Sequence, residues 1–129
     1  LVSIGDHGQA IDAGLSLIAE VDGRAAGFAM GNRYGADIYL HELDVDRAYQ
    51  KKGVGAALVT GFVELAQRQG PGMIYLSTFR DPPWNAPFYR KLGFRDVARG
   101  DYLPWMTAIE AEQAKFLDIA TRVFMRVGA

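Results

Sequence analysis

The stretch Gln50-Lys51-Lys52-Gly53-Val54-Gly55-Ala56-Ala57 separates a strand pattern from the strongest helix pattern of the chain. Beyond it, Val54, Ala57, Leu58, Gly61, Phe62, Leu65 and Ala66 recur at helical spacing, leaving Thr60, Glu64, Gln67 and Arg68 on the wet face. Glycine and alanine at such a helix start admit a ligand close to the backbone. The first turn also carries unpaired N–H groups and the positive end of the macrodipole. Together these suit a pyrophosphate. The alternative is that the small residues only pack the helix start tightly. A Walker A loop is excluded because no Gly-Lys-Ser/Thr follows. The third glycine of a dinucleotide fingerprint is also absent, with Ala56-Ala57 nearby instead.

Working outward, Leu15 to Val21 is a mostly apolar run followed by Asp22-Gly23, a strong hairpin signal. Its partner strand is expected from Ala25 to Gly31, with a turn through Asn32 to Gly35 and a third strand over about 37–45. Gly70-Pro71-Gly72 stops the helix, and Met73 to Phe79 reads as a buried strand. Asn85 to Leu92 reads as a short helix with Pro87 in its first turn and Gly93 as its stop. A strand over Phe94–Val97, a helix over about Thr107–Ile119 and a last strand over Arg122–Val127 follow. Residues 1–14 read as loop, with a short helix around Ala10. The pattern predicts one α/β (α+β) domain over 1–129, with a mixed, mostly antiparallel sheet of about six strands and helices on both faces.

Composition narrows the function classes. Half of the 129 residues are hydrophobic, enough for a core. The 14 Lys and Arg against 15 Asp and Glu give a net charge of -1, which argues against nucleic-acid or membrane-surface partners. With no cysteine, thiol chemistry and disulfides are excluded, and the two histidines, His7 and His41, are too few and too far apart to suggest a metal. No apolar run approaches the roughly 18–20 residues of a membrane helix. No signal peptide is visible, so a cytoplasmic location is the expectation.

The chain resembles the GNAT superfamily of N-acetyltransferases, whose signature is Gln/Arg-x-x-Gly-x-Gly/Ala after an apolar strand. Gln50, Gly53 and Gly55 match it, behind Leu43-Asp44-Val45. A second block, Trp84-Asn85-Ala86-Pro87-Phe88-Tyr89-Arg90-Lys91-Leu92-Gly93-Phe94, is similar to the family's Phe-Tyr-x-x-Leu-Gly-Phe segment. The likeness spans about 17–127, and Arg122 to Arg126 looks like the family's last strand. Residues 1–14 are too short for the family's usual first strand and helix pair, and Asn85 stands nearer to Tyr89 than is usual.

The resemblance implies transfer of an acetyl group from acetyl-CoA, without a metal, to a primary amine of a small molecule or peptide. Attack would be direct, within a ternary complex. Leu43, Asp44 and Val45 would line the pantetheine arm, beside a bulge that splays the strand. The N–H of Val45 would polarise the thioester carbonyl. The backbone of Gln50, Lys51, Lys52, Gly53, Val54, Gly55 and Ala56 would hold the pyrophosphate, and Asn85 and Phe88 would also contact the cofactor. Tyr89 would protonate the thiolate, a phenol of pKa ~10 facing a thiol near ~8.5; the alternative is a core aromatic. Glu42 is the candidate base. By period-2 counting it shares a face with Leu40 and Asp44, and apolar neighbours would raise its pKa. Asp44 and His41 are rivals for that role, and a plain edge-strand charge is the alternative. Trp84 either lines the mouth of the site or covers the core. Arg90 and Lys91 either reach a phosphate or form a solvated face. Competing readings are an acyl-CoA sensor of the same fold and a non-catalytic interaction domain. A homodimer is common in the family.

Overall fold

The computed structural model describes residues 2–6, as backbone, and 15–128. Its contacts divide the chain into two units, residues 1–74 with 128–129, and residues 75–127.

The first unit is an antiparallel meander of β1 (Val2–Asp6), β2 (Leu15–Val21), β3 (Arg24–Tyr34) and β4 (Asp37–Val45), packed against helix α1 (Val54–Gln69). The turn between β2 and β3 is Asp22-Gly23, with both residues at positive φ (52° and 81°). That is the type I′ geometry whose twist matches the flanking strands. β3 is longer than its pattern suggests. Asn32 to Tyr34 stay paired with β4, and only Gly35-Ala36 turn. A further correction concerns β1. Val2–Asp6 pairs with β2 from Val2 opposite Val21 to Asp6 opposite Leu17, so a strand stands where the sequence reads as loop. Its Gly5 and Asp6 are residues depleted in strands. The helix expected around Ala10 lies outside the described residues.

Helix α1 buries Val54, Leu58, Val59, Phe62, Leu65 and Ala66. Its seat on β3 is formed by glycines. A Cβ at Gly27 would stand 2.5 Å from the Asp44 carbonyl oxygen and 3.2 Å from Leu58 Cδ1, and one at Gly31 would stand 2.5 Å from Phe62 Cζ and 2.7 Å from the Tyr39 carbonyl oxygen. Full burial of Leu58 and Phe62 (0% exposed each) contributes about 1.5–3 kcal/mol apiece relative to exposure.

The second unit holds β5 (Ile74–Phe79), α2 (Ala86–Lys91), β6 (Arg95–Asp96), α3 (Pro104–Gln113) and β7 (Arg122–Val127), with β7 between β5 and β6. β6 is only two residues long, pairing Arg95 with Arg126 and Asp96 with Met125. Helix α3 begins three residues before Thr107, because Pro104 sits in its first turn, where a missing N–H costs nothing. It also stops at Gln113, so Phe116 and Leu117 are not on its stripe, and Phe116 is 85% exposed. The Arg99 guanidinium holds the Glu110 carboxylate with two bonds (2.8 and 2.9 Å), tying α3 to the turn before it.

Gly31→Ala is expected to lower stability by about 1–3 kcal/mol, because the Tyr39 backbone cannot swing aside as a side-chain tip can. The measurement is the urea midpoint at unchanged m; a midpoint equal to the parent's would show that the helix shifts freely.

Candidate functional site

The end of β4 turns the backbone groups of alternate residues to the side away from β3. The Asp46 N–H donates to the Ala26 carbonyl (2.7 Å), which makes those two residues a hydrogen-bonded pair. Antiparallel bonds alternate, so Phe28 and Asp44 exchange bonds, whereas Ala29/Leu43 and Gly27/Val45 do not. The main-chain N–H and C=O groups of Leu43 and Val45 therefore point away from β3. Those of Asp44 point at it, leaving Asp44 only its side chain for a ligand.

This parity is set by a bulge. Met30 pairs with Glu42 and Gly31 with Leu40, so His41 is an extra residue without a partner on β3. Before the bulge even-numbered residues turn their backbone outward, as the Ile38 N–H does towards the Met73 carbonyl (3.0 Å). After it the odd-numbered ones do. The bulge also corrects the face of Glu42. Leu40 is buried, whereas Glu42 and Asp44 are exposed together, because the extra residue breaks the period-2 count between 40 and 42. The carboxyl of Glu42 is held above its ordinary value, first by a hydrogen bond with Asp44, then by partial desolvation and the Asp44 charge, with His41 acting in the opposite sense. The chief cause is thus a second carboxylate rather than apolar surroundings.

Beyond β4 the chain makes a short 3-10 turn, Arg47–Tyr49, started by Asp46, whose side chain accepts from the Ala48 N–H (2.9 Å). An aspartate that accepts from an N–H two residues on is a local signal, and the sequence itself carries it. The Gln50 amide donates to the Val45 carbonyl (3.2 Å) and so fastens the loop to the strand end. Lys51 and Gly53 both adopt left-handed backbone (φ 64° and 80°). Gly53 precedes the first turn of α1 with no side-chain cap, and the first i→i−4 bond runs from the Ala57 N–H to its carbonyl (3.0 Å). The N–H groups of Val54, Gly55 and Ala56 thus have no acceptor within the helix. A Cβ at Gly53 would meet nothing within 4 Å. Glycine is therefore there for its backbone conformation and not for close packing. The Val54 side chain is in the core (1% exposed), so only its backbone serves the loop. Lys51 and Lys52 are exposed, with the Lys52 ammonium 5.9 Å from the centre of the Tyr49 ring.

In the second unit, α2 carries Tyr89 half-buried between Phe88 and Phe94, with ring centres at 5.1 and 5.8 Å. Burial pushes its phenol up to about 12. It keeps its proton across the neutral range and is a weaker acid than the ~10 of a free phenol. The carbonyl of Asn85 accepts from the Tyr89 N–H (3.1 Å), and its amide oxygen accepts from the buried Thr78 hydroxyl (2.8 Å). Asn85 thereby anchors the start of α2 to β5. Arg90 is engaged by Asp96 with two bonds of 3.0 Å, and Lys91 is exposed. Trp84 is 73% exposed, which rules out its covering the core. Among the described residues no group of three or more His, Asp or Glu side chains is placed to hold a metal, and no helix is long and apolar enough to cross a membrane.

The sequence profile of the Acetyltransferase (GNAT) family matches residues 5–94. The chain is 34% identical over 88 residues to a mycothiol acetyltransferase of Clavibacter sepedonicus, covering 67% of this chain and 28% of that protein's length. In structure it resembles the ribosomal-protein-S18-alanine N-acetyltransferase of Escherichia coli (TM-score 0.74, 16% identity, 99% of this chain and 94% of that one). It also resembles the PaiA N-acetyltransferase of Thermoplasma acidophilum, solved with coenzyme A (TM-score 0.66, 19% identity, 90% and 61%). At these identities the solved structures speak for the fold.

Replacing Asp44 with alanine removes both the hydrogen bond and the negative charge that hold the Glu42 proton. The Glu42 carboxyl is then expected to titrate at lower pH, followed by its carboxyl carbon resonance. An unmoved midpoint would show that Asp44 is not the cause.

Proposed function

Because the chain belongs to the GNAT family of acetyltransferases, we propose that it is an acetyl-CoA-dependent N-acetyltransferase acting on a primary amine. The observation that carries this reading is the uncapped start of α1 behind the left-handed Gly53. It offers three N–H groups, the helix dipole and two lysines to a pyrophosphate. The residues present fit coenzyme A. The outward N–H and C=O groups of Leu43 would pair with the pantetheine amides as an added strand would. The Val45 carbonyl already accepts from Gln50, so its N–H is the group left for the thioester oxygen.

In the reaction, the amine nitrogen attacks the thioester carbonyl carbon, the C–S bond breaks and the N–C bond forms. The proton lost by the ammonium passes through water to Glu42. A carboxylate with a raised pKa is a better base than an ordinary glutamate. The likeness to the family assigns the departing sulfur to the Tyr89 hydroxyl. At about 12 the phenol is too weak an acid to surrender its proton outright to a thiolate whose acid is near ~8.5. Its part is a hydrogen bond to the developing charge; the second proton, shed by the nitrogen once the N–C bond has formed, leaves to solvent, and a proton from solvent completes the thiol.

Tyr89→Phe is expected to lower kcat by about 10²-fold with little change in acetyl-CoA affinity. Unchanged turnover, with the chemical step rate-limiting, would remove Tyr89 from this role. Gly53→Glu sets a carboxylate and a strained left-handed residue, about 1–2 kcal/mol, at the phosphate position. Calorimetric titration is expected to show no coenzyme A binding by the folded variant. Binding by the parent at one site per chain, with release of coenzyme A on an amine panel, is the primary test. Binding without release from any amine would mark an acyl-CoA sensor instead.

A further inference from the structure

The face of the first unit turned away from α1 carries two aligned rows. Gly27 and Gly31 face Leu58 and Phe62 of the helix, so Phe28 and Met30 face the other way. Across three strands Ser16 pairs with Met30 and Met30 with Glu42; beside them Ile18 pairs with Phe28 and Phe28 with Asp44. Each row thus ends in a carboxylate on β4 and has a soft apolar side chain at its centre. The second row opens into a cleft of about 340 Å³ bounded by Ile18, Ala26, Phe28, Asp44, Val45 and Asp46. That volume is in the range of a small-molecule site. Its wall is apolar apart from the two aspartates, and Asp46 already spends one oxygen on the Ala48 N–H.

From this we infer that the acetyl acceptor is a lipophilic primary amine without a carboxylate, its ammonium held at Asp44 beside Glu42 and its aryl or alkyl body lying on Phe28 and Ile18. This rests on the N-acetyltransferase reading, since the cleft borders Val45, whose N–H is assigned there to the thioester. Three physical terms select such a ligand. A carboxylate attracts the ammonium, and the face of Phe28 adds a cation–π contribution. The apolar wall favours a body that leaves water. An anionic group on the ligand would meet Asp44 and Asp46 together, so a zwitterionic amino acid is disfavoured by repulsion. The charges segregate along the chain accordingly, with negative residues at 42, 44 and 46 and positive ones at 47, 51 and 52. The ammonium and the phosphates are thereby given separate places.

The test uses 2-phenylethylamine and L-phenylalanine, which share a body and differ by the carboxylate. With acetyl-CoA saturating, kcat/KM for the amine is expected to exceed that for the amino acid by about tenfold or more, since one unfavourable charge contact in a cleft is of that order. Asp44→Asn is expected to narrow the ratio. Equal or reversed preference overturns the inference. A second measurement is independent of transfer. Phenethyltrimethylammonium cannot be acetylated, and its binding is read from the amide and side-chain resonances of Phe28, Asp44 and Ile18. Shifts at these residues that weaken in Asp44→Asn and Phe28→Ala support the cleft even if no amine is turned over. Their absence from a protein that still binds acetyl-CoA overturns the cleft while leaving the transferase reading standing.

Discussion

Leu58 and Phe62 occupy the space that side chains at Gly27 and Gly31 would fill, and the position of α1 follows from that fit. A helix seated so close to a strand cannot slide without striking backbone, since interiors are packed as tightly as organic crystals. Gly27 lies opposite Val45, the last residue of β4. The seat of the helix and the end of the strand are therefore fixed at one place. The loop between them begins and ends on immobile points, which is what a backbone-built anion site requires.

Around that anchor the polar groups of the first unit are arranged by short local bonds. Asp46 starts the 3-10 turn, Gln50 fastens to Val45, and Gly53 hands the chain to the helix with its first N–H groups unused by side chains. Each bond is worth only about 1 kcal/mol net. Their effect is to narrow the number of shapes available to the loop. In the second unit Asn85 performs a similar task, tying the start of α2 to Thr78 so that Tyr89 is presented in one orientation.

Much of this was legible from residues alone. The Asp22-Gly23 turn and the apolar stripe of α1 each carry a local physical cause and stand where the sequence places them. What escaped depended on partners distant in sequence. β1 has glycine and aspartate among its five residues, and only its pairing with β2 makes it a strand. Helix α3 starts at Pro104, ahead of the apolar spacing that begins near Thr107, because a first-turn proline is harmless to a helix. The environment of Glu42 differs from the period-2 expectation because that count presumes an unbroken ladder, and no local signal marks His41 as surplus. The roles assigned to Tyr89 and Glu42 come from a family likeness, which composition and periodicity could not have supplied.

His41 changes the phase of β4. Upstream of it the strand offers Ile38 and Leu40 to the interior, and downstream the same strand offers carboxylates to the solvent and odd-numbered amides to the side away from β3. Two incompatible alternations are thus joined in one strand by a single additional residue. The consequence is a distinction between content and length. At position 41 many side chains would serve, since it has no partner on β3 and faces water. Loss of the position would carry every later residue to the opposite side of the sheet. Divergence in this strand is therefore expected to run through substitution and to avoid insertion and deletion, so that its length is more constrained than its letters.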